Sequence, residues 1–142
     1  MLLPWIRRKL VSDPHRLGRW GQNQAEKYLR RRGLKTIARY YAYSGGELDL
    51  VMADRNGTMV FTEVKTRQYE DRFPAVAAVN QEKQRKIIRT AKRFMRQFNL
   101  SQTALRFDII TVILGTEGKP EIKHYPNAFF SRYLIVNNVL KR

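Results

Sequence analysis

The 142-residue chain has no cysteine. That excludes disulfides, thiolate zinc sites and cysteine nucleophiles. It has only two histidines, His15 and His124, well separated, and neither stands in a ligand pattern. No Ser-His-Asp arrangement, phosphate-cradling glycine loop, repeat or low-complexity stretch is present. No apolar run approaches the ~20 residues that cross a bilayer. The first sixteen residues lack the continuous apolar segment and small-residue cleavage site of a signal peptide, so the expected compartment is the cytoplasm. Acids are also scarce: Asp plus Glu is 12 against 28 for Lys plus Arg, a formal charge of +16. Such a surplus points to a polyanionic partner, nucleic acid (DNA) first and an acidic membrane surface second.

At 43% hydrophobic and 28% charged residues the chain reads as one globular domain with a real core. Three segments are expected: a loose basic tail over residues 1–17, a domain over 18–130, and an amphipathic C-terminal extension over 131–142. Leu2, Leu3, Trp5 and Ile6 also allow an interfacial anchor.

Residues 18–32 have helical spacing, with Gln22, Ala25 and Leu29 on one stripe and Gly33 as the C-terminal stop. Gln22 fits either a partly exposed helix end or a group turned toward the acidic strands downstream. Residues 35–43 are rich in β-branched and aromatic side chains and form a strand. Its Tyr40, Tyr41 and Tyr43 serve either strand packing or base stacking. The loop after residue 65, with Arg67, suits a nucleic-acid groove or an ordinary surface. Residues 80–98 are the strongest helix, with Ile87, Ala91, Phe94, Met95 and Phe98 on one stripe. Lys86 and Arg89 lie on its basic face, which would track phosphates or simply be solvated. Lys83 sits near the positive end of the helix dipole, which is unfavourable unless an anion or carboxylate is close. Residues 105–114 form an apolar central strand holding a lone Asp108, and residues 121–125 a short edge strand. The end, from Asn127, is amphipathic and helix-compatible.

The chemistry concentrates between residues 45 and 67. Two apolar strands flank Asn56-Gly57, a hairpin signal whose favoured turn needs positive φ at both positions. Alternation puts Leu48, Leu50 and Met52 on one face of the first strand and Glu47, Asp49 and Val51 on the other. Glu63 and Lys65 share a face of the second. Acids inside apolar strands are costly unless paired or binding a cation. Pairing around the turn would bring Asp49 and Glu63 together beside Lys65. Such a group fits a salt-bridged hairpin with one solvated face, or a site for a hard divalent cation and a phosphate.

The order α-β-β-β-α-β, with Asp49, thirteen residues, then Glu63-Val64-Lys65, resembles the PD-(D/E)xK nuclease core. A wider set of motifs resembles the bacterial YraN family across residues 18–130. It comprises Gly18, Gly21, Ala25, Tyr28-Leu29 and Gly33, then Gly46-Glu47-Leu48-Asp49-Leu50, then Val60 through Arg67. Val79, Lys83, Arg106-Phe107-Asp108 and Asn127-Ala128-Phe129 complete it. That family is described as predicted endonucleases related to Holliday-junction resolvases. The resemblance implies an α/β, restriction-endonuclease-like αβββαβ core with a central mixed sheet flanked by helices. It implies Mg²⁺ (or Mn²⁺) held by Asp49, Glu63 and the Val64 carbonyl. Lys65 would place the attacking water, and Glu47 would be a nearby acid. Nucleic acid would be met by Lys83, Lys86, Arg89, Arg67 and Gln22. The family pattern usually has Glu where this chain has Gln22, which removes a negative charge from the site. The alternative is therefore a catalytically weak or inactive nucleic-acid-binding protein on a nuclease fold. A resolvase-like role needs two sites, hence a homodimer, and the apolar residues between Tyr133 and Leu140 are the candidate surface.

Overall fold

A computed structural model describes residues 2–70, 73–116 and 119–131. Its elements in chain order are α1 (Pro4–Ser12), α2 (Pro14–Arg31), β1 (Lys35–Tyr43), β2 (Gly46–Ala53), β3 (Met59–Arg67), α3 (Gln81–Gln97), β4 (Leu105–Ile113) and β5 (Glu121–Phe129). A single 3₁₀ turn, Ala75–Ala78, precedes α3. The strands form one sheet in the order β1-β2-β3-β4-β5. β1, β2 and β3 are antiparallel neighbours, β3 and β4 are parallel, and β5 returns antiparallel. The parallel step requires a crossover, and α3 supplies it. The result is a five-stranded mixed sheet flanked by helices.

α2 and α3 each bury an apolar stripe on one face of the sheet. Ala25 and Leu29 of α2 pack against Leu50, Met52, Val60, Ile110 and Val112. On the other face Ile87, Ala91, Phe94 and Met95 of α3 pack against Leu48, Val51, Phe61, Phe107 and Ile109. Burying each large side chain contributes roughly 1.5–3 kcal/mol. Asn80 caps α3 by accepting from the Lys83 N–H at 2.9 Å. Gly21 lets α2 settle onto β3, because a Cβ there would run into the Thr66 side chain.

Several local expectations are corrected. Residues 4–12 are helical rather than a loose tail: Leu10 is buried, and Arg7 donates to the Gly115 carbonyl. α2 begins at Pro14, with the Asp13 side chain accepting from the His15 and Arg16 N–H groups. The hairpin turn is longer than a two-residue Asn-Gly turn. Only Gly57 has positive φ (+82°), while the Asp54 carboxylate accepts from the Asn56 and Thr58 N–H groups. β5 runs on to Phe129 through an irregularity in which Asn127 takes φ 51°, so residues 127–129 are strand rather than helix. The proposed dimer surface between Tyr133 and Leu140 lies outside the described residues. Among the described residues, no helix is long and apolar enough to cross a membrane.

Candidate functional site

The site arises where β2 leaves β3. Their ladder runs from Ala53↔Met59 to Leu50↔Thr62, and Asp49 has no partner in it. The side-chain alternation of β2 breaks at the same place. Leu48 faces α3 with Val51, whereas Leu50 and Met52 face α2. On β1 the position opposite Asp49 is Tyr40, whose φ is +53°. A tyrosine in the left-handed region is strained, and that strain is characteristic of functional sites. The kink turns Asp49 out of simple alternation and into the gap. There its Oδ2 accepts from the Val64 N–H at 2.8 Å. In a strand the N–H and C=O of one residue project to the same edge, so the Val64 carbonyl also faces the gap.

The structure brings together Asp49, Glu63 and Lys65, as the pairing argument expected. The Asp49 and Glu63 carboxyls lie close enough that each shifts the titration of the other. Glu63 is only 5% exposed. Burial, reinforced by the Asp49 charge, pushes its pKa up to about 8, against the opposing pull of Lys83 and Lys65. Burial also raises Asp49, although the Val64 N–H works the other way. Lys83, at the start of α3, lies 3.5 Å from Glu63. It thus has the nearby carboxylate that its unfavourable helix position demanded.

Asp49 of this pair lines an open cleft of about 440 Å³, whose wall also includes Glu47, Val64 and Lys65. Glu47 is exposed, at the rim. Gln22 is buried rather than a partly exposed helix end, and its amide donates to the Asp49 carbonyl at 2.7 Å. It therefore fixes the backbone that carries the carboxylate, and any contact it makes with nucleic acid is secondary. Glu26 takes no part: Arg39 holds its carboxyl below the usual range against the effect of burial, and Thr36 donates to it at 2.6 Å. Arg67 donates to the Phe73 carbonyl at 2.9 Å, steadying the loop after β3. Lys86 and Arg89 lie on the outer face of α3, away from the Asp49 cleft wall. Asp108 is separate from the site. Burial opposes its ionisation, but His124, the Asn127 N–H and Arg106 hold its pKa below the usual carboxylate range.

Sequence reasoning missed the first turns of α2. Pro14, His15 and Arg19 complete the cleft wall, and Arg19 stacks 5.2 Å from the Tyr40 ring. The signal was present: Asp13-Pro14 is a helix start, an N-cap followed by proline at the first helical position.

The donor set fits a hard divalent cation. Two largely buried carboxyls lie together, and a carbonyl faces the same gap. Among the described residues no third His, Cys, Asp or Glu joins them. Mg²⁺ accepts such a set, because it keeps several waters and substrate phosphate oxygens in its shell.

The model of the uncharacterised protein family UPF0102 matches residues 21–112. The chain belongs to this family. A UPF0102 protein of Trichlorobacter lovleyi is 37% identical over 117 residues, covering 82% of this chain and 92% of the relative. One from Syntrophotalea carbinolica is 39% identical over 113 residues, covering 80% and 90%. One from Chlorobium phaeobacteroides is 35% identical over 125 residues, covering 84% and 98%. The UPF0102 match spans α2 from Gly21 through nearly all of β4, so it contains every residue of the cleft from Gln22 onward.

Proposed function

We propose that this chain is a metal-dependent endonuclease that hydrolyses DNA phosphodiester bonds, with branched or structured DNA among its substrates. One observation carries the reading: Asp49 and Glu63 are forced together, largely buried, with Asp49 in the wall of an open cleft, in a chain of charge +16. Proteins tolerate such a pair where it has work to do. Asp49, Glu63 and the Val64 carbonyl would hold Mg²⁺ or Mn²⁺. When bound, that ion supplies Lewis acidity to a phosphate oxygen and lowers the pKa of its water. Lys65 brings three N–H donors to the cleft, to hold the attacking water and offset charge building on the phosphate. Lys83 balances Glu63, and Gln22 keeps the Asp49 backbone from shifting. Glu47, at the rim, biases the cleft toward cations.

The alternative, a nucleic-acid-binding protein with little turnover, is favoured by Gln22, which is neutral and committed to the Asp49 carbonyl. The two readings separate in a cleavage assay on single-stranded, duplex, flap and four-way DNA with Mg²⁺ or Mn²⁺. The nuclease reading expects cation-dependent scission that is lost in Asp49→Ala and Lys65→Ala. Scission that persists unchanged in both variants overturns it. DNA binding with no scission under any cation establishes the alternative.

A further inference from the structure

A second groove lies beyond Glu47, between α3 and the β1–β2 turn. It encloses about 320 Å³, floored by Tyr43, Ser44, Gly45 and Gly46. Its other wall is a cationic row along one face of α3: Lys86, Arg89, Arg93 and Arg96. These recur at i, i+3, i+7 and i+10, so they are neighbours on the helix surface, and like charges so placed repel. Among the described residues no Asp or Glu lines the groove. Of the four, Lys86 alone makes an ion pair among the described residues, with Glu82 at 3.8 Å.

A solvated basic face would leave each guanidinium free in water. Arg93 is held differently. Its guanidinium carbon sits 4.3 Å from the Tyr43 ring centroid, and its Nε is buried with no hydrogen-bond partner among the described residues. A buried donor without an acceptor is costly, and inside a cationic row the missing partner is an anion. Close packing builds the groove: a Cβ on Gly46 would run into Thr90, so the turn rests directly on the helix.

We infer that this groove is a phosphate subsite that grips the nucleic-acid strand beside the cleavage cleft and sets where along it the cut falls. The inference rests on the nucleic-acid reading above. Gly46, on the groove floor, is three residues from Asp49 along β2, roughly 10 Å at ~3.3 Å per residue. The gripped phosphate would therefore lie within a step or two of the scissile one along the same strand. Arg93 is the anchor, and Arg89 and Arg96 close over the diester from the exposed side.

The test is fluorescence anisotropy of a short labelled duplex bound to the full chain, over a range of salt concentrations. The variants are Arg93→Gln, Arg89→Gln and Lys27→Gln, the last removing one exposed charge from α2. Each groove variant should weaken binding and shallow the slope of log K against log salt by about 1, and Lys27→Gln should leave the slope in place. Equal effects in all three variants, or none in the groove variants, overturn the subsite. Arg89 is exposed, so its variant keeps the test alive if Arg93→Gln fails to fold. Groove variants that lose binding to phosphatidylserine vesicles but not to DNA would reassign the groove to a membrane surface and overturn the inference. Wild type that binds DNA with this slope behaviour but never cuts would remove the nuclease reading and leave the subsite standing.

Discussion

Glu63 should make the fold lose stability as pH rises. Its folded pKa is about 8 against an ordinary 4.5, so between those values the native state holds a proton that the unfolded chain has released. Stability falls wherever the native state binds more protons than the unfolded state. At 1.36 kcal/mol per pH unit, the loss between pH 5 and pH 8 is on the order of 3–4 kcal/mol. Gln resembles the neutral carboxylic acid and does not titrate. Urea unfolding of wild type and Glu63→Gln across this range isolates the effect from other titrating groups. The variant should match wild type near pH 5 and exceed it by roughly 3 kcal/mol near pH 8. A divalent cation should close part of that gap in wild type only. At ten times its Kd the ion adds RT ln 11, about 1.4 kcal/mol, and NaCl at matched ionic strength should not reproduce this. A difference between the two proteins that stays flat with pH would refute the account of the pair.

Gln22→Ala should strand the buried Asp49 carbonyl, cost roughly 1–3 kcal/mol in urea unfolding, and weaken cation binding measured by calorimetry without abolishing it. Gly21→Ala should push α2 away from Thr66 and destabilise by about 1–3 kcal/mol, seen as a lower midpoint in the same experiment. Asp108→Asn should remove the buried carboxylate to which Arg106 and His124 bond, leaving Arg106 its pair with Asp54, and cost roughly 3–5 kcal/mol. Because the Asp108 pKa is depressed in the fold, its contribution is present above the ordinary carboxylate pKa and is lost as pH falls through the folded one. The variant should therefore approach wild type in acid.

Local signals were legible because local physics sets them. Lys35–Tyr43 and Gln81–Gln97 form as periodicity and capping require, and Lys83 at a helix start demanded an acid that proved to be Glu63. The Asp49–Glu63 approach was legible from strand pairing, but the kink that turns Asp49 into the gap was not. What depended on distant partners was not legible. The reversal of alternation at Leu48 needs the Tyr40 kink on another strand, and nothing near Tyr40 marks a positive φ. β5 continues past Pro126 because Asp108, 19 residues earlier, accepts from the Asn127 N–H. Glu26 is taken up by Arg39, which reaches it from β1. Asn56 stays out of the left-handed region because the Asp54 side chain organises the loop.

The central claim is that Asp49 and Glu63 form a cation site. The direct measurement is calorimetric titration of Mn²⁺ and Mg²⁺ into wild type and Asp49→Ala, first alone and then with a non-cleavable DNA that can complete the coordination shell. The account predicts binding to wild type that tightens with DNA and vanishes in the variant. Equal binding by both proteins, or none by wild type even with DNA present, would contradict it.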